Sequence, residues 1–163
     1  MTSSLDPLTE LLANTLFDGA YRATGYILGP QQLKAFVRSF AEVAFEHMLT
    51  KTSKTVQGKD AVSAASAWAS VETELGLYKS DHTEISATAE GFEATYTDCN
   101  YAEACGSVLA DLISQGVMDK EELPCMRCSL SVAAVQKVTR AKSKYKMIQH
   151  APGFRCRCSV VTI

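Results

Sequence analysis

The chain has 163 residues, of which 47% are hydrophobic and 21% charged, an ordinary composition for one globular domain that buries roughly 70% of its unfolded surface. Its net charge of −2 lays down no basic footprint for nucleic acid, and no apolar run approaches the roughly 20 residues that cross a bilayer. A disordered chain, a collagen-like or coiled-coil rod and an integral membrane protein are all excluded.

Residues 1–6 read as a polar, mobile tail of the kind that orders on a partner. With neither a charged n-region nor an apolar h-region there, the expected location is the cytoplasm. Asp6 as N-cap and Pro7 at the first helical position predict a helix start. Leu8, Leu11, Leu12, Leu16 and Tyr21 form its apolar stripe, interrupted at Gly25 and at Gly29-Pro30. A second helix is expected over about 31–49, with Leu33, Phe36, Val37, Phe40, Val43, Ala44 and Met48 on its covered face and Lys34, Arg38 and Glu42 on the other. After a polar loop over about 50–59, an Ala- and Ser-rich helix surrounds Trp68 over about 60–78.

The period then changes. Alternation about Ile85, Ala87 and Ala89, and again at Phe92, Ala94 and Tyr96, predicts a hairpin. A helix follows over about 101–114, ended by Gly116, and a fifth over about 124–140. The segments flanking Pro152-Gly153 form a second hairpin. This order predicts an α+β fold, an antiparallel sheet from two hairpins against about five helices. A single domain would span 7–163, with its cysteine-rich half over 91–163.

The six cysteines, all after residue 98, are the informative feature. Structural disulfides are rare in a reducing cytosol, which leaves metal binding, redox chemistry or inert burial. Cys125-Met-Arg-Cys128 opens a helix, so its sulfurs lie one turn apart near the positive end of the helix dipole, which favours thiolate. Cys156-Arg-Cys158 lies in a strand, so both side chains share one face and Arg155 and Arg157 take the other. With Cys99 between the first hairpin and its helix, these segments can converge on a four-thiolate site for Zn²⁺ or an iron–sulfur cluster. The expected metal ligands are Cys99, Cys125, Cys128, Cys156 and Cys158. Cys105, among Ala102, Ala104 and Val108, reads as a buried small hydrophobe. A reversible dithiol at Cys125/Cys128 or Cys156/Cys158 is the remaining reading.

The sequence from Cys99-Asn-Tyr-Ala-Glu-Ala104, through a cysteine opening a helix, to Gly153-Phe-Arg-Cys156-Arg-Cys158-Ser-Val resembles the 4-vinyl reductase family, also called the hydrocarbon-binding domain, to which small amino-thiazoline-carboxylate-hydrolase-like proteins are similar. The resemblance covers about 91–163, and the helices between Leu8 and Leu49 are compatible with it. Cys99, Cys128 and Cys156 match the family's positions. Asn100 stands where proline is usual, and Cys105, Cys125 and Cys158 exceed the common set. The resemblance implies an α+β fold with a mostly apolar pocket between sheet and helices, serving pigment-precursor chemistry or small-molecule sensing; cysteine-bearing archaeal members look metal-binding.

Other chemistry is sparse. His47, His82 and His150 form no metal-ligand pair by spacing; His47 reads as a helix C-terminal cation and His150 as a turn residue that is also a candidate further ligand. Asp98 and Glu103 read as solvated carboxylates. Lys137, Arg140, Lys142, Lys144 and Lys146 form a basic run, read either as a solvated face or as a docking patch for an acidic partner.

The function expected from the sequence is a cytoplasmic metal- or iron–sulfur-binding, redox-responsive regulatory protein that is not itself an enzyme. It would dock on a larger enzyme complex, with a corrinoid methyltransferase as a conjectural example that no residue carries. The alternatives are a module binding a small apolar, hydrocarbon or tetrapyrrole-like ligand, and a reductase or hydrolase using Cys99 or Cys128.

Overall fold

Helix α1 spans Pro7–Arg22. The computed structural model describes residues 7–163, so the expected Asp6 cap and the tail before it lie outside the described residues. The helix does not stop at Gly25. It continues through a π-helical stretch, Ala23–Leu28, and breaks at Gly29, whose φ of 93° is open to glycine. Gly25 serves packing instead, because a Cβ there would stand 3.2 Å from side-chain carbons of both Leu33 and Leu112. Tertiary contact outweighs the modest helix propensity that glycine gives up.

A second correction concerns which faces are buried. Tyr21 enters the core, and Phe17 packs edge-on against Phe40 and Tyr101, whereas Leu8, Leu11, Leu12 and Leu16 face outward. Helix α2 (Pro30–Leu49) buries the narrow row Leu33, Val37, Ala41 and Phe45. Phe40 and Val43, expected on that covered face, are exposed. A single neighbouring helix covers only one row of side chains.

Helix α3 (Ala61–Glu74) is started by Asp60, whose side chain accepts the Ser63 N–H at 2.8 Å in a reciprocal cap. Its alanines let Trp68 reach Phe45, with ring centroids 4.9 Å apart. The two expected hairpins form β1 (Thr83–Ala87) with β2 (Gly91–Thr97), and β3 (Ser143–Gln149) with β4 (Arg155–Thr162). They join through β2 and β4 into one antiparallel sheet of order β1-β2-β4-β3. At that seam Gly91 lies so close that a Cβ would collide with the Val160 carbonyl oxygen. Cys156 lies opposite Tyr96, and Cys158 lies opposite both Ala94 and Met147.

Between the hairpins, α4 (Ala102–Ala104), a π-helical stretch Cys105–Leu109 and α5 (Ala110–Ser114) run on as one helical segment, closed by Gly116 at φ 66°. Helix α6 (Met126–Thr139) then passes through the middle of the molecule, and every residue from Met126 to Val135 is buried. It packs on α2, α3 and the sheet. The result is the expected α+β domain, four antiparallel strands against five helical runs. Among the described residues, no helix is long and apolar enough to cross a membrane.

Candidate thiol site at the head of the central helix

The buried position of α6 demands partners for its polar side chains. Ser129 Oγ donates to the Cys125 carbonyl at 2.8 Å, and Ser131 Oγ lies 2.8 Å from Tyr96 Oη. Arg127, whose side chain is fully buried, is held by two aromatic rings and two hydrogen bonds, while its Nε has no hydrogen-bond partner. Its guanidinium carbon sits 3.5 Å from the Tyr78 ring centroid and 4.4 Å from that of Tyr96. Nη2 donates to Thr83 Oγ1 at 2.6 Å and Nη1 to the Thr97 carbonyl at 3.2 Å, while Glu72 of α3 stands 3.8 Å away. Burial alone would lower its pKa, but Tyr78, Glu72 and Cys99 more than offset that, and the group stays charged. Burial pushes the Glu72 carboxyl up to about 7 against the pull of Arg127.

This cation forms one wall of a cavity of about 20 Å³, room for about one water. Four of the six cysteines line it: Cys99 from the loop after β2, Cys105 from the π-helical stretch, Cys125 at the N-cap of α6 and Cys156 at the start of β4, joined by His150. Three of the five expected ligands are therefore brought together, and Cys105, read as inert, joins them. Cys128 and Cys158 are fully buried in the core instead, and the Cys128 thiol lies 3.7 Å from Met147 Sδ. Among the described residues, no group of three or more His, Cys, Asp or Glu side chains is placed to hold a metal ion. The thiols ring the cavity without meeting at a common point.

Their acidities differ for physical reasons. Burial pushes the Cys99 thiol up to about 12, despite Arg127, and raises Cys105 and Cys156 as well. Cys125 moves the other way. The neighbouring Cys128 side chain favours its thiolate form, and against the opposing effect of burial the first backbone N–H groups of α6 and the Arg127 guanidinium add to this, so its pKa is lowered. Burial, followed by its interactions with Cys125 and Cys158, raises Cys128 well above the ordinary thiol range. The two sulfurs of the C-x-x-C are thus pushed in opposite directions, Cys125 towards the thiolate and Cys128 away from it. His150 is lowered by burial and then by Lys120, and so is neutral at pH 7; its buried Nε2 has no hydrogen-bond partner.

The entry into α6 is clamped by Tyr145 of β3, whose Oη accepts the Cys125 N–H at 2.7 Å and donates to the Leu123 carbonyl at 3.0 Å. Tyr145→Phe leaves both groups unpaired, so a loss of about 1–3 kcal/mol is expected in denaturant unfolding. Alkylation of Cys125 should slow in the same variant as the N-cap loosens.

The remaining expected residues are scattered. Lys137 pairs with Glu46 at 2.8 Å and Lys146 with Glu121 at 2.7 Å. Arg140 caps α6 in the left-handed region and, with Lys142 and Lys144, is exposed. Asp98 lies 3.7 Å from His82 Nδ1, and Glu103 is exposed. Asn100, where the resembled family has proline, donates from Nδ2 to the Leu77 carbonyl at 3.1 Å and ties the Cys99 loop down. Sequence reasoning passed over Arg127 and Glu72. The available signal was a single charge inside the apolar run Met126 to Val135, a place where a charge is rarely tolerated without a built environment. No family model, curated protein or solved structure matches this chain.

Proposed function

We propose that this chain is a redox-responsive regulatory protein whose responsive element is the Cys125/Cys128 dithiol at the head of α6. The observation that carries the reading is that Cys125 occupies the N-cap of α6 with its side chain on the cavity, about one helical turn from Cys128. The oxidant is a peroxide. The Cys125 thiolate attacks one peroxide oxygen, the O–O bond breaks, and the leaving hydroxide takes a proton to become water. The Cys128 thiol then attacks the resulting sulfenic sulfur, the S–S bond forms, and the second oxygen leaves as water. Two thiol protons and two electrons pass to the peroxide. Drawing Cys128 toward Cys125 takes it off Met147, so the packing of α6 on β3 changes and with it the surface offered to a larger partner.

Peroxide titration with peptide mass mapping tests this. The expected product is a Cys125–Cys128 disulfide, abolished by Cys125→Ser, with altered hydrogen exchange over 126–139 and 143–149. Oxidation that bypasses Cys125, or that leaves the exchange pattern unchanged, refutes it.

A second reading is favoured by the cavity lining. Burial, with Cys125 adding to it, raises the Cys99, Cys105 and Cys156 thiols, and a soft cation among them would reverse that. Zinc or an iron–sulfur cluster would require the thiols to draw inward. Near-stoichiometric metal, or iron with acid-labile sulfide, in protein purified without oxygen would establish this reading over the free dithiol. Kinship with the 4-vinyl reductase family would add an apolar ligand, and a hydrocarbon- or tetrapyrrole-sized molecule needs several hundred Å³, hence an opening of the helices over the cavity.

A further inference from the structure

Along α1 and the π-helical stretch that continues it, an apolar ridge faces outward, flanked by Thr15 and the Arg22–Asp18 pair. Leu8, Leu11, Leu12, Leu16, Ile27 and Leu28 are each more than half exposed, with Leu16 at 68% and Ile27 at 77%. These are not side chains of a loosely held helix. Ser107 Oγ donates to Asp18 Oδ1 at 2.8 Å, Tyr26 Oη to Asp111 Oδ2 at 3.0 Å, and Tyr21 and Gly25 are buried. The orientation of α1 is therefore fixed, with these side chains at its surface.

We propose that this ridge is an interface by which two copies of the chain pair. Its size fits. The six side chains offer roughly 700 Å², close to the ~800 Å² each partner contributes to a standard interface and more than a monomer's largest apolar patch.

The ridge is also complementary to itself. It runs from Leu8 to Leu28, about 30 Å of helix, with its midpoint near Gly19, where a Cβ would meet nothing within 4 Å. Two copies crossing antiparallel about a two-fold axis at that point set the Leu8 end of one against the Leu28 end of the other. Small residues at the crossing, Gly19 and Ala23, let the backbones approach while larger side chains interlock on either side. Charge argues against a lipid surface as the occupant. An interfacial helix carries Lys and Arg along its polar rim, and the only basic residue of α1, Arg22, is already paired with Asp18 at 2.7 Å.

Sedimentation equilibrium on the full chain tests the proposal. The expected mass is twice 17.6 kDa at protein concentrations of about 10 µM and above. Leu12→Glu/Leu16→Glu should weaken association by at least about 100-fold. Gly19→Arg should do so by at least about 10-fold; it meets nothing in its own chain and improves helix propensity, so unchanged circular dichroism and melting are expected. A wild-type chain that stays monomeric at about 100 µM overturns the proposal, whether or not it binds neutral or anionic vesicles. So does a dimer that persists unweakened in both variants, which would place the interface elsewhere.

Discussion

Arg127→Met is expected to destabilise the fold by about 3–5 kcal/mol at pH 8, a fall in melting temperature on the order of 10 °C for a chain of this size. The guanidinium is sandwiched between Tyr78 and Tyr96, bonded to Thr83 and Thr97, and faces Glu72 with no solvent exposure of its side chain. Removing the cation takes away the aromatic and hydrogen-bond contacts and leaves the Glu72 carboxylate buried without a counter-charge. That carboxyl can neutralise itself by protonation, so the penalty should shrink towards pH 5. Arg127→Lys should not rescue, because an ammonium cannot stack between two rings and also reach both the Thr83 hydroxyl and the Thr97 carbonyl. Replacing both partners, Arg127→Met with Glu72→Leu, should recover much of the loss, since the charge that would be stranded is gone. The functional readout differs from the structural one. Arg127 helps to lower Cys125, so the variant's Cys125 should alkylate more slowly in protein that is still folded. A variant as stable as the wild type at pH 8 would show that the sandwich is not what holds α6 to the sheet.

The pH dependence of stability should carry the mark of Glu72. Its carboxyl titrates at about 7 in the folded chain against an ordinary value of 4.5, chiefly through burial. Below about pH 4.5 it is neutral in both states. Between about 4.5 and 7 the unfolded chain has released the proton and the folded chain keeps it, so folding takes up a proton and stability falls as pH rises. Above about 7 the loss is complete, amounting to about 3 kcal/mol relative to acid pH. Glu72→Gln removes this slope. Urea unfolding of both proteins from pH 4.5 to 8 should show the wild type losing ground steadily to the variant across that window, and parallel curves would place the Glu72 pKa near its ordinary value. The exposed Asp60 and Glu74 carboxyls have lowered pKa values and work in the opposite direction, which is why the difference between the two proteins is the quantity to read.

Much of the architecture was legible from the chain itself. Local signals place most elements: the helix over about 31–49, the alternation through β1 and β2, Gly116 after α5, and the Pro152-Gly153 turn. The C-x-x-C at a helix start and the C-x-C on a strand were also readable, since each depends only on the local period. What local period cannot carry is which neighbour meets which face. The α1 leucines are periodic enough to suggest a core stripe, yet Phe17 and Tyr21 one step around the helix are the side chains that α2 and the α4–α5 run cover.

The site divides along the same line. That the cysteines matter was a sequence-level conclusion. That Cys99, Cys105, Cys125 and Cys156 share a cavity while Cys128 and Cys158 lie beneath it follows from pairing β4 with β2 and β3 and from sinking α6 between sheet and helices. Residues brought together from such separated segments are fixed by long-range packing. The same holds for Arg127: its charge is in the sequence, but its partners come from the Tyr78 and Thr83 region, β2 and α3. Arg127 becomes the buried neighbour of the Cys125 thiol only because the tertiary structure closes around it.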